Sequence, residues 1–83
     1  MPYINPDRAD YLSDKIYELS RNIHNLGELN YVITKLLLSE APAIYSDFAA
    51  LIGTLECAQL EFYRRPVAPY EDKKRAENGD VYE

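Results

Sequence analysis

Apolar residues recur at alternating intervals of three and four along most of the chain, and this period constrains the fold more than any other feature. The first series is Leu12, Ile16, Leu19, Ile23 and Leu26. Such spacing places side chains on one face of an α-helix. Asn5-Pro6-Asp7 precedes the series and is typical of a helix start, because Asn can accept a hydrogen bond from a free amide of the first turn. We predict a first helix over residues 6–26 with Gly27 as its C-cap.

Two further series predict two further helices. The second series is Leu29, Val32, Ile33, Leu36 and Leu37. The third series is Phe48, Leu51, Leu55, Ala58 and Phe62. They predict helices over residues 28–38 and 47–65, because the spacing is again that of one helical face. Pro42 ends the second pattern, since the residue before a proline avoids the helical region.

The C-terminal part of the chain contains prolines that leave its helical structure open. Pro66 leaves two alternatives, a third helix that ends at Arg65 or one that continues. A short helix over residues 69–77 is expected next, with Asn78-Gly79 as its stop. Residues 78–83 form an acidic tail.

The predicted fold class is all-α, a small bundle of three main helices plus a short C-terminal helix or turn, in one domain of 83 residues. A chain of this size can bury roughly 60–65% of its unfolded surface, which gives limited stability. The single cysteine cannot form an internal disulfide. Because oligomerisation is a common remedy for a small core, we expect a homo-oligomer.

Charge and hydropathy exclude several classes of partner. The formal net charge is −5 and the sequence pI is about 4.8, which argues against general nucleic-acid binding, where clustered positive charge is needed. No apolar run approaches the roughly 18 residues of a membrane span. The N-terminus lacks a basic region followed by an apolar stretch, so we expect no signal peptide, no membrane partner and a cytoplasmic location.

Four stretches of the chain carry a resemblance to a known family. They are GELNYVIT at residues 27–34, LECAQLEFYRR at 55–65, APYEDKK at 68–74 and ENGDVY at 77–82. These stretches resemble the signature segments of a family of short, uncharacterised bacterial and bacteriophage proteins. The resemblance implies a compact bacterial or phage-associated protein and implies no activity. Pro66 departs from the family pattern, in which this position is apolar and compatible with a helix.

Catalysis and metal binding have little support in the sequence. His24 and Cys57 are the only histidine and the only thiol, and no spacing links them as a nucleophile and its base. We interpret His24 as a helix-surface residue near a C-terminal end, and Cys57 as a buried, inert thiol among apolar neighbours. We interpret Asp10, Asp14 and Glu18, which lie four residues apart, as a solvated acidic face rather than a metal site. We therefore predict no enzyme, no cofactor and no metal ligand.

One segment combines cations and aromatic rings and is the candidate ligand site. Its residues are Tyr63, Arg64, Arg65, Tyr70, Lys73 and Lys74. Arginine binds phosphate or carboxylate oxygens in a bidentate manner, and tyrosine can stack on a base. Two prolines between the tyrosines would reverse the chain and bring Tyr70 towards Tyr63. The alternative is that Arg64 and Arg65 end a helix and form surface ion pairs.

Two functions follow as expectations. The first is a non-catalytic helical interaction protein that self-assembles and binds a protein or another partner. The alternative is a protein that sequesters a phosphorylated small molecule, such as a signalling nucleotide, through the cations and tyrosines of residues 63–74. Mimicry of DNA by an acidic surface is a third possibility that rests on the net charge alone.

Overall fold

The computed structural model describes residues 2–41 and 44–82, and it is 81% helical with no strand in these ranges. The helices are α1 (Pro6–Ser20), α2 (Leu26–Glu40), α3 (Tyr45–Phe62) and α4 (Ala68–Asn78). A five-residue π-helical segment, Tyr63–Val67, joins α3 to α4 and is called the π-turn below. α3, the π-turn and α4 follow one another without a break and form one helix of 34 residues, so the described ranges contain three helices. The all-α class is confirmed.

The start of α1 forms as its sequence predicts. The Asn5 side chain accepts a hydrogen bond from the backbone N–H of Asp7 at 2.9 Å, and Pro6 is the first helical residue. Proline costs nothing there, because the N–H that it lacks would have no partner within the helix. Asp7 adds a negative charge to the positive end of the helix dipole. Local chemistry alone therefore fixes the position where α1 begins.

The end of α1 differs from the prediction, because α2 has its own N-terminal cap. The Asn25 side chain accepts a hydrogen bond from the N–H of Glu28 at 2.8 Å. The Glu28 carboxylate accepts in return from the backbone N–H of His24, also at 2.8 Å. This exchange resembles a capping box. It places Gly27 inside the first turn of α2, so Gly27 is not a C-cap and α1 ends at Ser20.

Pro66 does not end the helix that begins at Tyr45. A proline in a regular α-helix removes one hydrogen bond and clashes with the carbonyl four residues earlier. In the π-turn the hydrogen bonds reach back five residues, as when the N–H of Ala68 donates to the carbonyl of Tyr63. The wider turn accommodates the ring, and the helix continues into α4. The third helix therefore extends past Arg65.

The chain divides into two compact units, Met1–Leu51 and Ile52–Glu83. The first contains α1, α2 and the beginning of α3, and the second contains the rest of α3, the π-turn and α4. In neither unit is any of the described residues buried. The expected burial of the leucine-rich faces against one another is thus not found within residues 2–41 and 44–82. The helices form from local signals, and their apolar side chains stay in contact with solvent.

Candidate functional site

The six residues of the predicted ligand site lie along one continuous stretch of helix. Tyr63, Arg64 and Arg65 belong to the π-turn, and the other three belong to α4. The predicted chain reversal at Pro66 and Pro69 is wrong, because the π-turn carries the helix through the first proline and the second stands in the first turn of α4. The route by which Tyr70 was expected to approach Tyr63 therefore does not exist.

Ion pairs along the helix engage several of the cations. Arg64 contacts the Glu61 carboxylate at 2.6 Å, three residues earlier in the chain. Lys74 lies 3.4 Å from the Glu77 carboxylate and also stands over the Tyr70 ring, 5.6 Å from its centroid. A carboxylate beside a cation weakens the attraction of that cation for a phosphate, because the negative charge offsets the positive one. These contacts favour the interpretation of the segment as a surface with local ion pairs.

Arg65 and Lys73 differ from the other cations of the predicted site. Neither forms an ion pair with any residue of the described ranges. Both side chains are exposed, Arg65 on the π-turn and Lys73 on α4. Two free cations are fewer than the four that the predicted anion site contains, but they are the groups to which an added phosphate has direct access.

A surface groove of about 500 Å³ lies beside α4 within the second unit. Tyr63 and Lys74 are the members of the predicted site that line it. The other charged lining residues are Glu71, Asp72, Arg75 and Asp80. Three carboxylates therefore face two cations, and Arg75 lies 3.6 Å from Asp72 and 4.0 Å from Asp80. This balance disfavours an anion, because the carboxylates repel it.

The C-terminal residues extend into solvent. α4 ends at Asn78, and Gly79 follows with φ of 93°, a left-handed conformation that glycine adopts without strain. The predicted stop at Asn78-Gly79 is confirmed. Val81 and Tyr82 are 92% and 88% exposed, so their side chains are almost entirely in solvent. Glu83, the last acid of the predicted tail, lies outside the described residues.

His24 and Cys57, the residues considered for catalysis, belong to different units. His24 lies in the connection between α1 and α2 rather than on a helix, and its side chain is exposed. Cys57 lies on α3 and is also exposed, so the prediction of a buried thiol is wrong for the single chain. Within residues 2–41 and 44–82, no three His, Cys, Asp or Glu side chains come together as metal ligands.

The most unusual surface of the chain is uncharged, and the third apolar series, from Phe48 to Phe62, runs through it. No charged residue occurs between Asp47 and Glu56, so residues 48–55 are uncharged on every side of α3. A helix that is apolar all round is typical of a buried position. None of the helices in the described ranges has the length and hydropathy to cross a bilayer. The gap in charge, rather than the spacing of leucines, is the signal for this surface.

Comparison with protein families assigns the chain to one of them. The family is described as a domain of unknown function, DUF6899, and it matches residues 1–81. Because the match covers nearly the whole sequence, the chain belongs to this family. No curated protein and no solved structure matches the chain significantly.

Proposed function

We propose that this member of the DUF6899 family is a non-catalytic helical interaction protein that self-assembles through its exposed apolar surface. The observation that carries the proposal is the absence of any buried residue among those described, in either unit. At the same time, large apolar side chains are exposed on α1, α2 and α3. Such surface is stable in water only when something covers it.

Residues 48–55 support the proposal most directly. A neighbouring helix can pack against residues 48–55 without burying a charge, because the segment has none on any side. Units of 51 and 32 residues are too small to cover its side chains with their own helices. Further chains can cover these side chains by packing against them, as in other small domains that oligomerise.

The energy available from association is of the same order as its cost. Covering a half-exposed Leu, Ile or Phe contributes about 1 kcal/mol, half the value for complete burial. Ile52, Leu55, Leu60 and Phe62 alone present four such side chains in the second unit. On two chains these side chains contribute about 8 kcal/mol, and association costs about 4–15 kcal/mol in lost motion. A stable complex therefore also uses further exposed apolar residues.

The proposal is tested by the mass of the full-length protein in solution. Light scattering after size exclusion should give at least twice the chain mass of 9.6 kDa at tens of micromolar. The helical signal in circular dichroism should fall on dilution, because the helices lose their cover when the chains separate. A monodisperse species of 9.6 kDa with full helicity contradicts the proposal.

Sequestration of a phosphorylated small molecule is the second candidate function. Arg65 and Lys73 favour it, because both cations are exposed and form no ion pair with described residues. Calorimetric titration with nucleotides and cyclic dinucleotides tests it. Binding heat that disappears in Arg65→Ala and Lys73→Ala, but persists in Lys35→Ala on α2, supports sequestration. The absence of heat for every nucleotide contradicts it.

A bacterial or bacteriophage setting is part of the proposal and is supported by the resemblance in residues 27–34 and 55–65. The test is the time at which the gene is transcribed. Transcription that rises after phage infection or prophage induction supports the setting. Transcription that is constant in bacterial cells without a prophage contradicts the phage setting and supports the bacterial one.

A further inference from the structure

We infer that α3 pairs in parallel with α3 of a second copy of this chain, with Gln59 of each copy meeting its counterpart at the two-fold axis. The inference rests on the proposed self-assembly and names the surface and the partner. The surface, called the α3 stripe, consists of Tyr45, Phe48, Ile52, Leu55, Gln59 and Phe62. Its positions follow one another at intervals of three, four, three, four and three, which is the repeat of a coiled-coil seam.

The exposure of these residues distinguishes the α3 stripe from the neighbouring seam that runs through Leu51 and Ala58. Leu51 is half-buried within its own chain. By contrast, Ile52 is 66% exposed, Phe62 is 67% exposed and Tyr45 is 85% exposed. The α3 stripe therefore contains every exposed large apolar residue of α3 except Leu60, which is 62% exposed.

The exposed area is close to what a stable pair needs. If each large side chain has about 150–200 Å² of surface, the exposed fractions of the five apolar members correspond to about 500 Å² per copy. A standard interface takes roughly 800 Å² from each partner. Ala58 and Tyr63, which is 53% exposed, flank the stripe and enlarge the contact. A pair of α3 helices therefore forms an interface at the small end of the range for specific complexes.

Gln59 identifies the partner as a second copy. It lies one turn after Leu55 and one turn before Phe62, in the middle of apolar neighbours. Its side chain is exposed and makes no hydrogen bond to any residue of the described part of the chain. An amide has both a donor and an acceptor, so it can pair with an identical amide across a two-fold axis.

The orientation follows from the heptad positions. Tyr45, Ile52 and Gln59 occupy the a positions, and the other three members occupy the d positions. In a parallel pair each a residue meets its own counterpart. Among parallel coiled coils, an isoleucine at a with a leucine at d, as at Ile52 and Leu55, favours two strands over three or four. A single polar residue at an a position fixes the register, and Gln59 has that place. An antiparallel pair instead places Gln59 opposite a large apolar side chain.

The decisive variant is Gln59→Glu. At pH 7.5 it places two carboxylates against each other at the axis, and we expect the dissociation constant of the dimer to rise at least about tenfold. At pH 4, below the usual titration of glutamate near about 4.3, the carboxyls are mostly neutral and the affinity should recover. Sedimentation of wild type at both pH values gives the reference.

Cys57→Glu is the matched control, because it adds the same charge two residues away. Cys57 occupies the f position, on the side of α3 opposite to the α3 stripe. We expect this variant to keep the wild-type dissociation constant within about twofold. If Gln59→Glu and Cys57→Glu weaken association equally, or if neither does, the inference is overturned while self-assembly as such remains.

Disulfide cross-linking tests the orientation without relying on stability. In the chain with Cys57→Ala, the variant Ile52→Cys should form a covalent dimer under mild oxidation, because the two a positions face each other only in a parallel pair. The wild-type chain, with Cys57 alone, should cross-link far more slowly. A covalent dimer through Cys57 at the same rate, or none through Ile52→Cys, contradicts the inference. A wild-type chain that is monomeric at every concentration refutes the proposed function as well.

Discussion

Residues 48–55 and α4 belong to the same continuous helix but are stabilised in different ways. The first segment has no charged residue, and each of its described side chains is at least partly exposed. α4 has six charged residues among eleven, and ion pairs three residues apart link Asp72 to Arg75 and Lys74 to Glu77. α4 is therefore supported by interactions within its own sequence, whereas residues 48–55 have no such ion pairs and are the segment that the proposed self-assembly would cover.

The π-turn separates these two kinds of helix. It inserts one extra residue per turn, so the apolar repeat of α3 is not continued into the charged face of α4. A coiled coil requires an unbroken repeat. The proposed pairing should accordingly stop near Phe62, and α4 should remain in solvent with its cations and carboxylates accessible. The four predictions below test this difference, from the largest expected effect to the smallest.

Leu55→Glu should have the largest effect. The substitution places a charge in the middle of the α3 stripe, where covering the half-exposed leucine contributes about 1 kcal/mol and an unpaired buried charge adds a further cost. We expect the mass measured by light scattering to fall to that of one chain. Lys73→Glu on α4 is the control and should leave the mass unchanged. Equal behaviour of the two variants removes the distinction between the segments.

Pro66→Ala should stabilise the helix at the boundary between the two segments. Proline costs about 3 kcal/mol inside an α-helix, and the π-turn relieves part of that cost. We expect a gain of about 1–2 kcal/mol in the free energy of unfolding, measured by thermal or urea denaturation followed by circular dichroism. A lower stability than wild type shows that something other than Pro66 maintains the π-turn.

Gly79→Ala should weaken the end of α4 without affecting association. The φ of 93° at Gly79 is unfavourable for alanine by about 1 kcal/mol. The N–H of Gly79 also donates to the Arg75 carbonyl at 2.9 Å and closes the last turn. We expect fraying of α4 in amide hydrogen exchange with an unchanged dimer mass. A change in mass means that α4 takes part in the interface.

Arg64→Ala should have the smallest effect. Its ion pair with Glu61 is between partly exposed groups, and such pairs contribute about 0–1 kcal/mol. We expect the free energy of unfolding to change by less than about 0.5 kcal/mol and the dissociation constant to stay within twofold. A larger loss of stability shows that the pair has a structural role beyond the surface of the helix.

The sequence predicts the helices best where a cap determines the boundary. Asn5-Pro6-Asp7 and Asn78-Gly79 both act through hydrogen bonds within a few residues, so they can be identified without knowledge of the fold. The end of α1 was missed because Gly27 fits two roles. The competing cap formed by Asn25 and Glu28 uses side-chain hydrogen bonds that a search for apolar periodicity does not detect.

The candidate site was predicted less well for two physical reasons. A period of 3.6 residues does not describe a π-turn, so Pro66 appeared able to end the helix that it only widens. Cations and aromatic rings near one another in sequence also indicate a ligand site and a row of local ion pairs equally well. Side-chain geometry determines whether a ligand site or a row of ion pairs results, as the contact between Arg64 and Glu61 shows.

Hydrogen exchange measured at two protein concentrations tests the central claim most directly. At high concentration the amides of residues 48–62 should be protected, and dilution below the dissociation constant should remove that protection. The amides of α4 should exchange at nearly the same rate at both concentrations. Protection of residues 48–62 that does not depend on concentration, or a dependence shared equally by α4, contradicts the account.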